Sequence, residues 1–249
     1  MRPIKLLNHS VRIKSWLYRF YWCLPQRFQA TTFIRAKLKE LAMLSDDITF
    51  LNIGANDGLS GDPVREFIIL NGWKGVLVEP VPHVYERLRR SYAGVAGLRF
   101  EKVAIAEQNG SQKFWYLRKN NELPSGYDQC GSFDLENILK CENMFPGLRG
   151  YLDHEQVECS TLADLIRRSG RSFYHLIFID AEGHDDKIVM QVDFDNPPWM
   201  IVFEHANLSP ERHKACLKLL ESKGYLVMGD EGNTVATRFH QLSERGRLK

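Results

Sequence analysis

The sequence predicts a doubly wound α/β domain whose sheet is mostly parallel and ends antiparallel, preceded by a helical extension. Three observations predict it. Short apolar runs alternate with stretches of helical spacing from residue 48 to residue 239, the order that builds a parallel sheet with helices on both faces. The run 173–179 is apolar apart from His175, the pattern of a strand buried on both faces. The last two runs, 225–228 and 235–239, flank Asp230-Glu231-Gly232-Asn233, a turn that reverses the chain and sets the final strand antiparallel.

Taken in order, residues 30–44 carry Phe33, Ile34, Leu38, Leu41 and Leu44 on one helical stripe. The first strand spans 48–53. A helix follows over 63–71, with Pro63 suited to its first turn and Asn71-Gly72 to its stop. The second strand, 75–78, ends on Glu79, and a helix covers 82–92. The third strand is assigned to 98–105, and 112–117 alternates like an antiparallel neighbour. Residues 118–150 break the rhythm with Asn120-Asn121, Pro124-Ser125-Gly126, Cys130-Gly131-Ser132 and Pro146-Gly147. A long irregular insertion in a compact domain is either a functional loop or a surface excursion, and both readings stand. Ser160 or Thr161 caps a helix over 162–169. The strand 173–179 ends on Asp180, a helix covers 184–192, and the strand 199–203 ends on Glu204-His205. The helix 210–223 stops at Gly224. The chain thus divides into an extension, 1–45, and a domain, 46–249, carrying the insertion 118–150.

With 249 residues the length suits one α/β domain with an appendage. A net charge of +2 gives no general case for nucleic acid, and no run is long and apolar enough to span a bilayer. Cys23, Cys130, Cys141, Cys159 and Cys216 are dispersed with no metal-finger spacing, which points to free thiols and a cytoplasmic setting. The charge is uneven, however. Before residue 41 nine bases face the single acid Glu40, with Trp16, Tyr18, Phe20, Tyr21 and Trp22 among them. Such a segment can lie on an anionic membrane surface through residues 1–40. The competing reading, a helix packed over the core or a partner subunit of a homo-oligomer, is favoured because the aromatics are clustered rather than spaced on one face.

The chemistry is expected where strands end, because ligands of open α/β sheets bind beyond their carboxyl ends. Four strands end in polar groups: Gly54-Ala55-Asn56-Asp57-Gly58, Glu79-Pro80, Asp180-Ala181-Glu182-Gly183-His184 and Glu204-His205. A glycine turn followed about twenty residues on by a strand ending in an acid is the arrangement that receives an adenosine-type cofactor, the acid accepting from the ribose hydroxyls. Asn56 stands where a nicotinamide fingerprint needs its second glycine, which argues against a dehydrogenase.

These residues resemble the FkbM family of S-adenosylmethionine-dependent methyltransferases. The likeness is carried by Phe50-Leu-Asn-Ile-Gly-Ala-Asn-Asp-Gly58, Val78-Glu79-Pro80, Tyr85 and Leu88, Val103-Ala104-Ile105, Thr161-Leu162 with Asp164-Leu165, and Ile179-Asp180 with Glu182-Gly183-His184. It spans about residues 48–240 and implies a seven-stranded Rossmann-like class I methyltransferase fold acting on hydroxyls of sugars or natural products. It also implies that Gly54, Asn56 and Gly58 surround the methionine part of the cofactor, that Glu79 holds the ribose, that Val103 and Ala104 line the adenine pocket, and that Asp180 closes the floor near the acceptor. The first strand of these enzymes usually carries an acid at the position of Asn52. Asparagine still accepts through its carbonyl oxygen but lacks the charge that would pair with the cofactor's ammonium group.

A hydroxyl acceptor needs a base, or a metal that lowers its pKa. His184 and His205 have the intrinsic pKa for a base, with Asp180 and Glu182 beside them. Asp180, Glu204 and His205 offer a ligand set for Mg²⁺. The expectation is an O-methyltransferase for a sugar, a glycan or a small metabolite. The alternative is a non-catalytic scaffold on the same fold. The insertion, with Tyr116, Arg118, Tyr127 and Phe133 in or beside it, is expected to select the acceptor.

Overall fold

A computed structural model describes residues 26–120, 122–123, 126–229 and 232–241, with side chains from residue 33 onward. The basic, aromatic-rich stretch up to residue 25, Cys23 and the tip of the last hairpin lie outside the described residues, and with them the expected membrane contact.

Helix α1 (Gln26–Ala42) is followed by β1 (Thr49–Ile53), α2 (Arg65–Asn71), β2 (Lys74–Val78), α3 (Pro82–Ser91), β3 (Leu98–Glu101), β4 (Ala104–Ile105) and β5 (Gly110–Leu117). After the insertion, which holds α4 (Leu135–Lys140), come β6 (Leu152–Ser160), α5 (Leu162–Ser169), β7 (Leu176–Ile179), α6 (Asp185–Val189), β8 (Met200–Glu204), α7 (Pro210–Ser222), β9 (Leu226–Gly229) and β10 (Asn233–Thr237). Seven strands form the main sheet in the order β3-β2-β1-β7-β8-β10-β9. The pairs among β3, β2, β1, β7 and β8 are parallel, and β10 is antiparallel to both its neighbours. The predicted doubly wound sheet with an antiparallel end is therefore the observed one.

Alternate residues of each central strand face opposite sides. Leu51, Ile53, Ile177, Ile179, Ile201 and Phe203 pack against α5, α6 and α7. Phe50, Leu77, Phe178 and Val202 pack against α1, α2 and α3. Of the predicted α1 stripe, Ile34, Leu38 and Leu41 are buried, Phe33 packs against them in part, and Leu44 lies beyond the helix end, largely exposed. Each buried leucine contributes about 1.5–3 kcal/mol, enough to hold this part of the extension on the sheet. No described helix is long and apolar enough to cross a membrane.

The structure departs from the predicted order in one region. The stretch 98–105 is not one strand: β3 stays on the edge of the main sheet, the chain steps off at Lys102-Val103, and β4 joins a second sheet of order β4-β6-β5. Strand β6 has no expected counterpart in the sequence reading, because over its first half Asp153, His154, Glu155 and Gln156 present no apolar alternation; its buried positions begin at Val157. The insertion is not irregular throughout. Leu117, Tyr127, Cys130, Ile138, Cys141, Phe145 and Leu148 form a small core of their own, with Asp134 capping α4. It sits across the strand ends and walls the site.

Candidate active site

A cavity of about 780 Å³ opens over the carboxyl ends of β1, β2, β7 and β8, covered on its far side by the insertion. The four polar strand ends all contribute to its lining, as the topology requires.

On the β1–β2 side the turn and the acid are physically joined. Gly54 has a φ of +79°, and a Cβ there would lie 1.7 Å from the carbonyl oxygen of Asp180; only glycine lets the turn pass between β2 and β7. The N–H groups of Gly54 and Ala55 both donate to the carbonyl of Val78, at 3.0 and 2.9 Å. Asn56 adopts a positive φ of 47°, which aims its N–H at Glu79 Oε2, 3.1 Å away. Glu79 Oε1 accepts from the N–H of Val81 at 2.9 Å. Burial pushes the Glu79 carboxyl up to about 7, against the lowering effect of those two bonds. Asn56 Oδ1 is buried in the same place with no partner, an acceptor that a ligand donor could satisfy. Val103 and Ala104, at the step between the two sheets, line the adjoining wall. Gly58 does not line the cavity. It lies beneath the turn, where a Cβ would meet the Tyr92 ring at 2.5 Å.

On the β7–β8 side, Asp180, Glu182 and Glu204 each bring a carboxylate oxygen within 4.8 Å of the others. Asn207 Nδ2 donates to Glu182 Oε2 at 3.0 Å and to Glu204 Oε2 at 2.9 Å, tying two of the acids together. Glu182 is held by its backbone: its φ is 48°, and its carbonyl accepts from Ser132 Oγ and Asn137 Nδ2 of the insertion. Asp180 is open to water within the cavity yet deeply surrounded by protein. Burial first raises all three carboxyls above their ordinary range; repulsion adds to it, from Glu204 on Asp180, from Asp180 and Glu204 on Glu182, and from Asp185 on Glu204. They are shifted towards neutrality, where carboxylates exchange protons readily.

The two predicted histidines stand apart from this group. His184 lies at the start of α6 with its Nε2 3.1 Å from Glu107 Oε2 and its ring against Phe133. His205 shares Thr234 Oγ1 with His213, each at 2.9 Å, and the two rings stack with centroids 4.0 Å apart. Neither lines the cavity. The cluster with cation-ligating geometry among the described residues is accordingly Asp180, Glu182 and Glu204; Glu182 stands where His205 was expected. The reason is local. Glu204 is the last residue of β8, and the chain then turns, so that the next side chain points to the opposite side.

Other lining residues escaped the sequence reading. Asn207 carries no signal beyond lying three residues after Glu204. Asn137 and Lys140 lie on α4 inside the insertion and are bonded to each other, Nζ to Oδ1, at 2.6 Å. Asp62 reads in the sequence as the turn before a helix, yet its carboxylate accepts from Asn52 Nδ2 at 3.5 Å and from the Tyr92 hydroxyl at 3.1 Å. Of the insertion aromatics, Phe133 lines the cavity, Tyr127 belongs to the insertion core, and Tyr116 packs beside His83.

Residues 52–227 match the family described as the methyltransferase FkbM domain. No curated protein matches the chain. Among solved structures, a methyltransferase FkbM from Methylobacillus flagellatus is similar at 12% identity over 78% of this chain and 44% of its own, with a TM-score of 0.48. A precorrin-6y C5,15-methyltransferase from Geobacter metallireducens is similar at 13% identity over 82% of this chain and 87% of its own, with a TM-score of 0.40. A putative caffeoyl-CoA O-methyltransferase from Staphylococcus aureus is similar at 11% identity over 93% of each chain, with a TM-score of 0.41.

Proposed function

The chain belongs to the FkbM methyltransferase family, and from that premise we propose that it is an S-adenosylmethionine-dependent O-methyltransferase acting on a hydroxyl of a sugar, a glycan or a small metabolite. The observation that carries this reading is one cavity holding both the joined Asn56–Glu79 unit and, facing it, three carboxylates shifted towards neutrality.

The residues present fit the cofactor. The turn at Gly54 leaves backbone where a side chain would intrude. Asn56 Oδ1 lacks a donor, and Glu79, oriented by two backbone N–H groups, keeps lone pairs for the ribose hydroxyls. Gly54, Asn56, Glu79, Val103 and Ala104 would hold it. When bound, S-adenosylmethionine supplies a methyl group already activated on a sulfonium. The chain's own work is then alignment and proton management. An acceptor hydroxyl among Asp180, Glu182 and Glu204 is oriented by hydrogen bonds to carboxylate oxygens. As the hydroxyl oxygen becomes a nucleophile, its proton passes to one of them. Asn207 keeps the Glu182 and Glu204 carboxylates together, and the insertion excludes water from above. Phe133 offers an apolar face, and Asn137 and Lys140 offer donors, a combination suited to a sugar ring.

A second reading adds Mg²⁺, held by the hard oxygens of Asp180, Glu182 and Glu204, a set without His205. Retention of activity in excess chelator would exclude it.

Calorimetry with S-adenosylmethionine, followed by a screen of glycans and metabolites for radiolabelled methyl acceptance, tests the proposal. No binding at about 1 mM cofactor by a folded sample, the upper end of the usual KM range, would sink it. Tight binding with no acceptor in any class would favour the scaffold.

A further inference from the structure

Six acids line the cavity, and five already have a place in the site. Glu79 accepts from two backbone N–H groups at the end of β2. Asp128 is paired with Arg87. Asp180, Glu182 and Glu204 form the group at the ends of β7 and β8. Asp62 remains. It lies against β1, on the sheet face that carries Asn52 and Tyr92. One of its oxygens, Oδ1, makes the turn into α2 by accepting from the N–H of Val64 at 2.8 Å. The turn does not use the other, Oδ2, which meets Asn52 Nδ2 at 3.5 Å and the Tyr92 hydroxyl at 3.1 Å.

The nearest base, Arg65, acts on it through its charge and its backbone N–H but makes no salt bridge with it. Arg65 donates to the carbonyls of Gly58 and Ser91, at 3.0 and 3.2 Å, and its guanidinium lies over the Tyr92 ring, 4.7 Å from the centroid. Among the described residues no Lys or Arg forms a salt bridge with Asp62. A largely enclosed carboxylate with two neutral donors on Oδ2 and no salt-bridged cation is complementary to a cation arriving from the cavity. The methionine end of S-adenosylmethionine carries one, its ammonium group. Strand β1 itself offers only the neutral Asn52, and Asn52 donates to Asp62.

We propose that Asp62 supplies the carboxylate that receives the cofactor's ammonium group, in place of the acid missing at Asn52. The two residues work as a pair, the amide holding the carboxylate that the strand does not provide. This inference rests on the proposed cofactor reading, and its test separates the two.

The full chain is titrated by calorimetry with two adenosine ligands. S-adenosylhomocysteine carries the ammonium group; 5′-methylthioadenosine carries the adenosine and the thioether without it. The wild-type chain binds both and prefers the first. Asp62→Asn keeps the turn-forming oxygen and loses the charge, and S-adenosylhomocysteine weakens about 10- to 100-fold, the range for losing a charge-assisted hydrogen bond. Binding of 5′-methylthioadenosine stays within about 2-fold, the spread expected of an untouched contact, and so reports that the variant is folded. Asp62→Ser, whose hydroxyl also supports a turn, serves if the first variant does not fold. An unchanged preference between the ligands in whichever variant folds overturns the role of Asp62, as does a wild-type chain that binds the two equally. A wild-type chain that binds neither overturns the cofactor reading itself.

Discussion

The N–H of Asn56 and the carboxylate of Glu79 are hydrogen-bonded at 3.1 Å, so the turn after β1 and the acid ending β2 are one unit. Replacing Glu79 therefore has two effects. Glu79→Gln keeps one acceptor oxygen but turns an N–H towards the N–H of Asn56 or Val81, costing about 1–3 kcal/mol of stability. On the proposed cofactor reading it also removes the charge that would face the ribose. S-adenosylhomocysteine affinity falls about 10-fold or more by calorimetry, and thermal melts show the loss in the ligand-free protein.

Gly54→Ala is the most damaging single-methyl addition expected in the site. The new Cβ would sit 1.7 Å from the Asp180 carbonyl oxygen at a φ of +79°. Neither strand can retreat without breaking the β1–β7 ladder, so the cost exceeds the roughly 1–2 kcal/mol of left-handed backbone strain alone. The melting temperature falls by about 10 °C or more, or the protein fails to accumulate as a folded species.

The ligand-free protein gains stability as pH is lowered from 8 to about 6. Glu79, Asp185 and Glu204 have folded pKa values raised to about 7, above the ordinary carboxyl range. The folded state therefore binds more protons than the unfolded one in this window, and stability falls as pH rises through it. Below about pH 6.5 the trend is opposed. Desolvation lowers the pKa of His83, His175, His184 and His213, and stability from such groups is lost as pH falls through their folded values. Melting curves across pH should peak near 6, and Glu79→Gln should flatten the alkaline side. A melting temperature that rises steadily from pH 6 to 8 would contradict the assignment.

Asn207→Leu keeps the approximate size and removes the donor bridging Glu182 and Glu204. The hydrogen bond from Asn207 lowers the Glu204 pKa, so its loss moves that carboxyl further up. The pH–rate profile of methyl transfer shifts to higher pH, while binding of S-adenosylhomocysteine is retained. By contrast, His184→Gln and His205→Gln change transfer by less than about 3-fold, the scale of context effects rather than the 10²–10⁴ of a lost general base, since neither ring reaches the cavity.

The parallel strands were legible because burial on both faces writes them as apolar runs, and their polar ends were legible because the chain turns from apolar to charged within one residue at Glu79, Asp180 and Glu204. The break between β3 and β4 was not, since its one trace is the adjacent pair Glu101-Lys102, with no glycine or proline to mark the point where the chain changes sheets. The roles of the histidines were not legible either. Sequence proximity to Asp180 and Glu204 says nothing of which way the turn aims the next side chain. Asp62 reads as a turn former, and it is one through Oδ1; the contact of Oδ2 with Asn52 is tertiary, set by how the loop folds back on β1.

The insertion leaves and re-enters the domain at neighbouring points: Leu117 and Leu152 are cross-strand partners, and Arg118 donates to the carbonyl of Tyr151 at 2.9 Å. With its ends clamped and its own core of Tyr127, Ile138 and Leu148, it is a cassette that folds largely on itself, tied to the site through Ser132 and Asn137. Lengthening such a closed loop is cheap, about 0.6 kcal/mol per doubling. Lineages could therefore vary this cassette while leaving Gly54, Asn56 and Glu79 unaltered, and on the proposed reading would acquire new acceptors without redesigning the half of the cavity assigned to the methyl donor.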